Sequence, residues 1–76
     1  MEDIIKRIKV HVEEITFRAV GPTDALYSSN LIDSMGTIDL AVALEGEFNI
    51  SIDTRDVIEA NFDSLEKLGR YVKTKL

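Results

Sequence analysis

Apolar residues recur at helical spacing in three stretches of the chain, and they predict three main helices. Spacings of three and four residues place apolar side chains on one face of a helix, where they can be buried together. The first stretch runs from Glu2 to about Phe17, and Glu2 and Asp3 suit the positive end of its helix dipole. Its apolar face consists of Ile4, Ile8, Val12 and Ile15, with Ile5 beside them.

The second stretch, from Met35 to Phe48, carries apolar residues on two faces. The predicted core face consists of Leu40, Leu44 and Phe48, supported by Thr37 and Ala41. The second face consists of Met35, Ile38 and Val42, flanked by Asp39 and Glu45. A helix at the edge of a small domain needs only one buried face. The second face therefore either packs on another part of this chain or binds a partner.

The third stretch predicts the last helix, which we expect to begin at Asp63. Asp63 is the predicted N-cap, and Glu66, three residues later, is its capping-box partner. Phe62, just before the cap, can pack onto the first turns, and Gly69 inside the helix indicates a close contact with a neighbour. The inward face consists of Leu65, Leu68 and Val72, with Tyr71 alongside.

A long loop is predicted between the first and second helices, from Arg18 to Asp33. The Gly21-Pro22 pair ends the helical pattern, and polar clusters after it favour turns. A short helical turn beginning near Thr23 or Asp24 is also compatible with this stretch. A loop of this length in a small domain is expected to be held in place by its own side chains. Those side chains are Leu26, Tyr27, Leu31 and Ile32.

A second connection, from Asn49 to Asp53, alternates polar and β-branched residues. This pattern is typical of a strand, but such a short segment without a partner strand favours an extended connection. We expect Ile50 and Ile52 to cover the core, and a short helical turn to begin at Asp53 or Thr54 and run through Glu59. The sequence therefore predicts an all-α, four-helix bundle with three main helices and one short helix.

The composition excludes several classes of function. Residues 1–76 make one small domain with little room for a deep catalytic cleft. The absence of cysteine excludes disulfides, a thiolate nucleophile and a cysteine zinc site. No apolar run reaches the roughly 18 residues of a membrane span, and the acidic N-terminus differs from a signal peptide, so we expect a cytoplasmic protein. A net charge of -5 argues against a nucleic-acid partner.

Negative charge is concentrated in the middle of the chain. Residues 1–20 hold equal numbers of acids and bases, whereas residues 21–63 hold nine acids against Arg55 alone. Residues 64–76 hold four bases against Glu66. The acidic segment surrounds Ser34, where it would steer basic partner surfaces, although an ordinary solubilising surface gives the same pattern.

Ser34 is the side chain that the pattern places best for covalent chemistry. Asp33 is a predicted N-cap, whose carboxylate can accept from backbone amides one turn ahead. Ser34 then takes the first helical position, where unsatisfied amides favour a phosphate, so its hydroxyl suits a phosphodiester. The competing hydroxyls lack an aspartate before a helix with two apolar faces: Ser28, Ser29, Ser51 and Ser64. Ser64 is interpreted as a structural cap.

Other titratable residues do not form a catalytic or metal site in this pattern. His11 has no second ligand nearby in the sequence, so we interpret it as a surface or boundary residue. Asp53 and Asp56 lack the alternating oxygen ligands and the closing glutamate of a calcium loop. Asp33 and Asp39 lie off the same helical face, which argues against general acid-base catalysis by a small enzyme.

The second helix resembles the recognition helix of acyl and peptidyl carrier proteins. Asp33-Ser34-Met35 resembles the Asp-Ser-Leu signature of that family, in which the serine carries 4'-phosphopantetheine. The residues that extend the resemblance along the helix are Ile38, Asp39, Leu40, Leu44, Glu45, Glu47 and Phe48. Residues 61–68 resemble the beginning of the family's last helix, so the likeness covers most of the chain from about Leu26.

The resemblance implies a carrier that performs no chemistry itself. A separate phosphopantetheinyl transferase, which binds the magnesium, would move the arm from coenzyme A to Ser34. The thiol of the arm would then hold an acyl or aminoacyl group as a thioester. A loading ligase and downstream synthases or transferases would visit the carrier, which we expect to be a monomer. The implied docking residues are Asp33, Met35, Ile38, Asp39 and Val42.

Three positions depart from the fatty-acid carriers of the family. Gly36 and Gly46 stand where those carriers commonly have acids, and Met35 replaces leucine. Residues 31–37 and 61–63 resemble those of free-standing carriers, and this likeness favours a dedicated carrier of an aminoacyl, nonribosomal-peptide or polyketide-like pathway over a general fatty-acid-synthesis acyl carrier protein. The alternative from another class is a small helical interaction module without a covalent cofactor, which predicts a stable complex and no modification.

Overall fold

Helices form the regular secondary structure of the protein. The computed structural model describes residues 2–76 and contains no strand within that range. The elements are α1 (Glu2–Thr16), α2 (Ser34–Phe48), a 3-10 turn (Thr54–Asp56), α3 (Glu59–Phe62) and α4 (Leu65–Lys75). The predicted all-α fold is therefore confirmed, with its long loop between α1 and α2. Within residues 2–76, no helix has the length and apolar character needed to cross a bilayer.

The core lies between α1, α2 and α4, and each contributes the face that its sequence pattern predicted. Ile8 and Val12 of α1 are fully buried. The buried residues of α2 are Thr37, Leu40, Ala41, Leu44 and Phe48. The buried residues of α4 are Leu65, Leu68, Gly69, Tyr71 and Val72. Because burial of one large aliphatic side chain contributes about 1.5–3 kcal/mol, these three faces hold the bundle together.

α1 and α2 run in opposite directions. Near the beginning of α1, the Arg7 guanidinium donates a hydrogen bond to the Glu47 carboxylate near the end of α2, at 2.8 Å. Near the end of α1, a methyl group of Ile15 lies 3.8 Å from the position that a Cβ on Gly36 would occupy. The end of α1 therefore lies beside the beginning of α2.

The long loop follows the surface and is held by apolar side chains, as predicted. Leu26 and Ile32 are buried, and Leu31 packs against the core from its edge. Val20, which the sequence analysis did not single out, is also buried. No helical turn forms near Thr23, because the Asp24 carboxylate accepts the Gly21 amide at 2.7 Å and closes a turn there instead.

The short helix lies further along the chain than predicted. The extended connection after α2 is confirmed, with Ile50 and Ile52 packed against the core. Asp53 then caps only the 3-10 turn, by accepting the Arg55 amide at 2.8 Å. Ile58 is extended, at φ -129° and ψ 162°, so α3 begins separately after it. The predicted start of a helical turn at Asp53 or Thr54 is confirmed, but its predicted extent through Glu59 is wrong, because the extended backbone at Ile58 separates the 3-10 turn from α3.

The N-cap of α4 is Ser64 and not the predicted Asp63. The Ser64 hydroxyl accepts the Lys67 amide at 3.1 Å, and the interpretation of Ser64 as a structural cap is confirmed. Asp63 instead ends α3, where its amide donates to the Glu59 carbonyl at 3.0 Å. The predicted capping box with Glu66 fails, since the box requires an N-cap three residues before the glutamate.

Candidate functional site

Ser34 is the first residue of α2, and Asp33 caps this helix as predicted. The Asp33 carboxylate accepts the Gly36 amide at 2.7 Å, and the Asp33 carbonyl accepts the Thr37 amide at 2.9 Å. The Ser34 side chain is exposed. Its hydroxyl therefore lies at the positive end of a 15-residue helix, in a position that favours a bound phosphate.

A small cleft of about 160 Å³ opens beside Ser34. One wall comes from the first loop, through Tyr27, and the opposite wall comes from the segment between α2 and α3. All of the lining side chains are uncharged: Tyr27, Ser34, Thr37, Ile38, Thr54 and Val57. The two connections of the fold thus meet at the beginning of α2, and the cleft offers hydroxyl groups and apolar surface but no charge.

The wall that contains Tyr27 is held by Asp63. The Asp63 carboxylate accepts the backbone amides of Tyr27 and Ser28, each at 2.8 Å, and the Ser28 hydroxyl at 2.9 Å. The Ser28 amide, together with the Ser28 hydroxyl and the Tyr27 amide, lowers the pKa of the Asp63 carboxyl below its usual value. Asp63 therefore positions one side of the cleft from 35 residues away in sequence.

The opposite wall is held by α4 through Asp56. The Tyr71 hydroxyl donates to the Asp56 carboxylate at 2.7 Å, and the Asn61 side chain donates to the Asp56 carbonyl at 2.9 Å. Burial of the Tyr71 ring, followed by this hydrogen bond to Asp56, raises the pKa of Tyr71 to about 12. Through this hydrogen bond the phenol attaches the segment with Thr54 and Val57 to α4.

The second apolar face of α2 is exposed to solvent. Met35, Ile38 and Val42 are 75%, 53% and 62% exposed, so this face does not pack on the described part of the chain. Asp39 is also exposed and lies on the same side of the helix. Glu45, by contrast, is partly buried, and its carboxylate accepts the Ile52 amide at 2.7 Å. The structure thus places Ser34 next to an apolar surface with a carboxylate, while Glu45 supports the fold.

The two glycines inside α2, Gly36 and Gly46, have different surroundings. A Cβ on Gly36 would lie 3.0 Å from a methyl carbon of Ile32 and 3.2 Å from an oxygen of Asp33. Gly46 has no atom within 4 Å of the corresponding position. Gly36 therefore permits close packing beside the Asp33 cap, whereas the space at Gly46 is open to a larger side chain.

His11 lies at the opposite end of α2 from Ser34. It is partly buried, which confirms its interpretation as a boundary residue, and its Nε2 lies 2.8 Å from the Glu47 carboxylate. The hydrogen bond to His11 is the main cause that lowers the pKa of Glu47, and the hydrogen bond from Arg7 adds to it. In the part of the chain that the structure describes, no cluster of three or more His, Asp and Glu side chains could hold a metal ion.

The residues that hold the cleft walls were not recognised from the sequence as part of the site. The sequence pattern indicates Asp63 as a helix cap and gives Asp56 no role beside Ser34. Their partners lie 15 and 35 residues away, at Tyr71 and Ser28. No local motif indicates such pairings, because they depend on how α3, α4 and the long loop pack together.

A comparison with known protein families gives a match that covers nearly the whole chain. The sequence model of the family described as "Phosphopantetheine attachment site" matches residues 4–72. The matched segment contains Ser34, both walls of the cleft and the exposed face of α2. A search of curated proteins finds no match to this chain.

Proposed function

The chain belongs to the phosphopantetheine-attachment family, and from this membership we propose that it carries the cofactor on Ser34. Domains of this family are carriers rather than enzymes, and 4'-phosphopantetheine is attached to them covalently. The observation that supports Ser34 as the attachment site is its exposed hydroxyl at the N-terminus of α2, directly after the Asp33 cap. Both the accessibility and the helix dipole suit a serine that bears a phosphodiester.

The role of Ser34 in attachment is that of a nucleophile. A new bond forms between the Ser34 oxygen and the phosphorus next to the pantetheine unit of coenzyme A. The phosphoanhydride bond of coenzyme A breaks, 3',5'-ADP leaves, and the hydroxyl proton passes to a base of the phosphopantetheinyl transferase. The positive end of α2 favours the phosphodiester that results. When bound, the arm supplies a thiol that holds the cargo as a thioester.

The exposed face of α2 is the proposed docking surface for partner enzymes. Met35, Ile38 and Val42 would provide apolar contacts, and Asp39 would attract basic groups, with Asp33 at the helix start. Such a surface suits weak, charge-steered binding, because each enzyme must leave after its step. The partners are the phosphopantetheinyl transferase, a ligase that loads an acyl or aminoacyl group, and downstream synthases or transferases, all of which would visit a monomeric carrier.

We assign the cargo to a specialised pathway, of the aminoacyl, nonribosomal-peptide or polyketide-like type. The support is the reduced negative charge of α2 at Gly36 and Gly46, compared with the acids of fatty-acid carriers. A general fatty-acid-synthesis carrier is the alternative, and the mass of the cargo on protein isolated from its host distinguishes the two. Because coenzyme A and these enzymes must be present with the carrier, we place it in the cytoplasm.

The attachment site can be tested with purified protein, coenzyme A, magnesium and a promiscuous phosphopantetheinyl transferase. We expect intact-mass spectrometry to show one added phosphopantetheine on the wild type and none on Ser34→Ala. Ser51→Ala is the matched control, because this exposed serine lies in the connection after α2, away from the hydrogen bonds that hold the cleft, and we expect it to be modified normally. A Ser34→Ala protein that still gained the mass would show that another serine is used.

A further inference from the structure

Phe17 is placed in a way that the fold does not explain. It follows α1 directly, its amide donates to the Glu13 carbonyl at 2.8 Å, and its φ is 57°. A left-handed residue at this position is usually glycine or asparagine, since a bulky side chain strains the backbone there. The ring is 89% exposed and contributes nothing to the core. Neither the backbone nor the packing of the protein therefore requires an aromatic residue at position 17.

Phe17 lies at the same end of the molecule as Ser34. Ile15, two residues earlier, approaches Gly36, which is two residues after Ser34. Because α1 and α2 run in opposite directions, the chain leaves α1 close to where α2 begins. An enzyme whose active site encloses the Ser34 hydroxyl must cover this end of the molecule, and it is therefore brought next to the exposed ring.

Arg18 adds a positive charge beside the ring. It is the only lysine or arginine between residues 10 and 54, a range that otherwise contains eight acids. Its side chain is exposed, like that of Phe17. An exposed aromatic ring next to a single cation is a common type of interface anchor. Its complement is an apolar pocket with a carboxylate at the rim, on a partner surface that is otherwise basic.

We propose that Phe17 and Arg18 form a docking site for the phosphopantetheinyl transferase. This inference depends on the proposed function, because it assumes that Ser34 is the acceptor. The transferase is the partner that must reach the Ser34 oxygen itself, whereas later enzymes act at the end of the flexible arm and can bind further away. A complementary apolar pocket with an acidic rim gives this enzyme a second point of contact in addition to α2, and fixes its orientation.

The test is the rate of holo-protein formation by the transferase of the same host, with coenzyme A and magnesium. Phe17→Asn removes the ring but keeps a residue that tolerates the left-handed backbone. We expect kcat/KM to fall about tenfold, mainly through KM, as is typical for the loss of an interface anchor. The melting temperature should stay the same or rise. Arg18→Glu should also lower kcat/KM, whereas Phe17→Leu should keep most of it.

Val10→Gln is the matched control, because Val10 is an exposed apolar residue of α1 that lies nearly two helical turns before Phe17. We expect this variant to be modified at the wild-type rate. A Phe17→Asn protein with an unchanged kcat/KM would contradict the proposed docking site at Phe17 and Arg18, but it would not contradict the role of Ser34. A wild type that gained no phosphopantetheine, or a Ser34→Ala variant that did, would instead contradict the proposed function.

Discussion

Two neighbouring residues, Asp63 and Ser64, make different hydrogen bonds: the Asp63 carboxylate holds the long loop, and the Ser64 hydroxyl caps α4. Both are good N-cap residues, and the capping rule alone favours Asp63 because Glu66 follows at the right spacing. In the folded protein the carboxylate instead accepts three hydrogen bonds from Tyr27 and Ser28, and Ser64 caps α4. The stronger acceptor is used where more donors are available, and the hydroxyl serves as the cap.

The charge of the Asp63 carboxylate should stabilise the loop that contains Tyr27 and Ser28. Asp63→Asn replaces a charged acceptor of three hydrogen bonds by a neutral one, and we expect it to lower the free energy of unfolding by about 1–3 kcal/mol at pH 7. The pKa of Asp63 is lower in the folded state than in the unfolded chain, where it is about 3.9. The stability that the charged carboxylate contributes is therefore fully present above pH 3.9 and is lost as the pH falls through the pKa of the folded state. Urea unfolding at neutral and acidic pH measures this difference.

The difference between wild type and Asp63→Asn should therefore shrink as the pH is lowered below 3.9. Asp39→Asn is the matched control, since Asp39 is an exposed aspartate on the solvent side of α2. Its free energy of unfolding should remain within about 0.5 kcal/mol of the wild type. A difference for Asp63→Asn that did not depend on pH would show that its carboxylate charge is not what stabilises the loop.

At the scale of elements, α2 illustrates which predictions a periodic pattern supports. The pattern predicted each buried residue of its core face, because the regular periodicity of a helix fixes which positions lie on the same side. Asp33 and Ser34 were placed correctly for the same reason, as a cap and the first helical position depend on adjacent residues. The position of α3 was not predicted, because short helices depend on tertiary contacts such as the hydrogen bond from Asn61 to Asp56.

The two faces of α2 should respond differently to truncation. Leu44→Ala removes a fully buried side chain and should lower the free energy of unfolding by about 2–5 kcal/mol. Val42→Ala, two residues earlier and 62% exposed, should change it by less than about 0.5 kcal/mol. If the exposed face is the docking surface, Val42→Ala should lower kcat/KM for phosphopantetheine transfer several-fold. Chemical unfolding and intact-mass kinetics give the two quantities, and a normal transfer rate would exclude Val42 from the interface.

At the scale of the whole molecule, charge is distributed unevenly between the middle of the chain and its last helix. The segment that surrounds Ser34 is strongly acidic, whereas residues 64–76 have more bases than acids. This asymmetry was evident from the sequence alone, because it requires only residue counts. The cleft beside Ser34 was not, because its walls come from two connections that meet only after the helices pack.

Charge steering predicts a salt-dependent encounter with partner enzymes. We expect kcat/KM for phosphopantetheine transfer to fall as ionic strength rises from about 0.05 to about 0.5 M. The reason is that salt screens the attraction between the acidic segment that surrounds Ser34 and a basic partner surface. Asp39→Asn should flatten this dependence, whereas Lys73→Gln in α4 should leave its slope unchanged. A rate that is insensitive to salt for the wild type would indicate that apolar contacts alone bring the partners together.

The hydrogen bond from Tyr71 to Asp56 links the cleft to the far end of the bundle. Lys75 lies 3.8 Å from the same carboxylate, near the end of α4. Tyr71 and Lys75 thus hold the segment with Thr54 and Val57 through one carboxylate, and loss of either side chain would weaken that attachment. The shape of the cleft therefore depends on α4, which contributes no side chain to its lining, so a substitution remote from Ser34 would alter the surroundings of that hydroxyl.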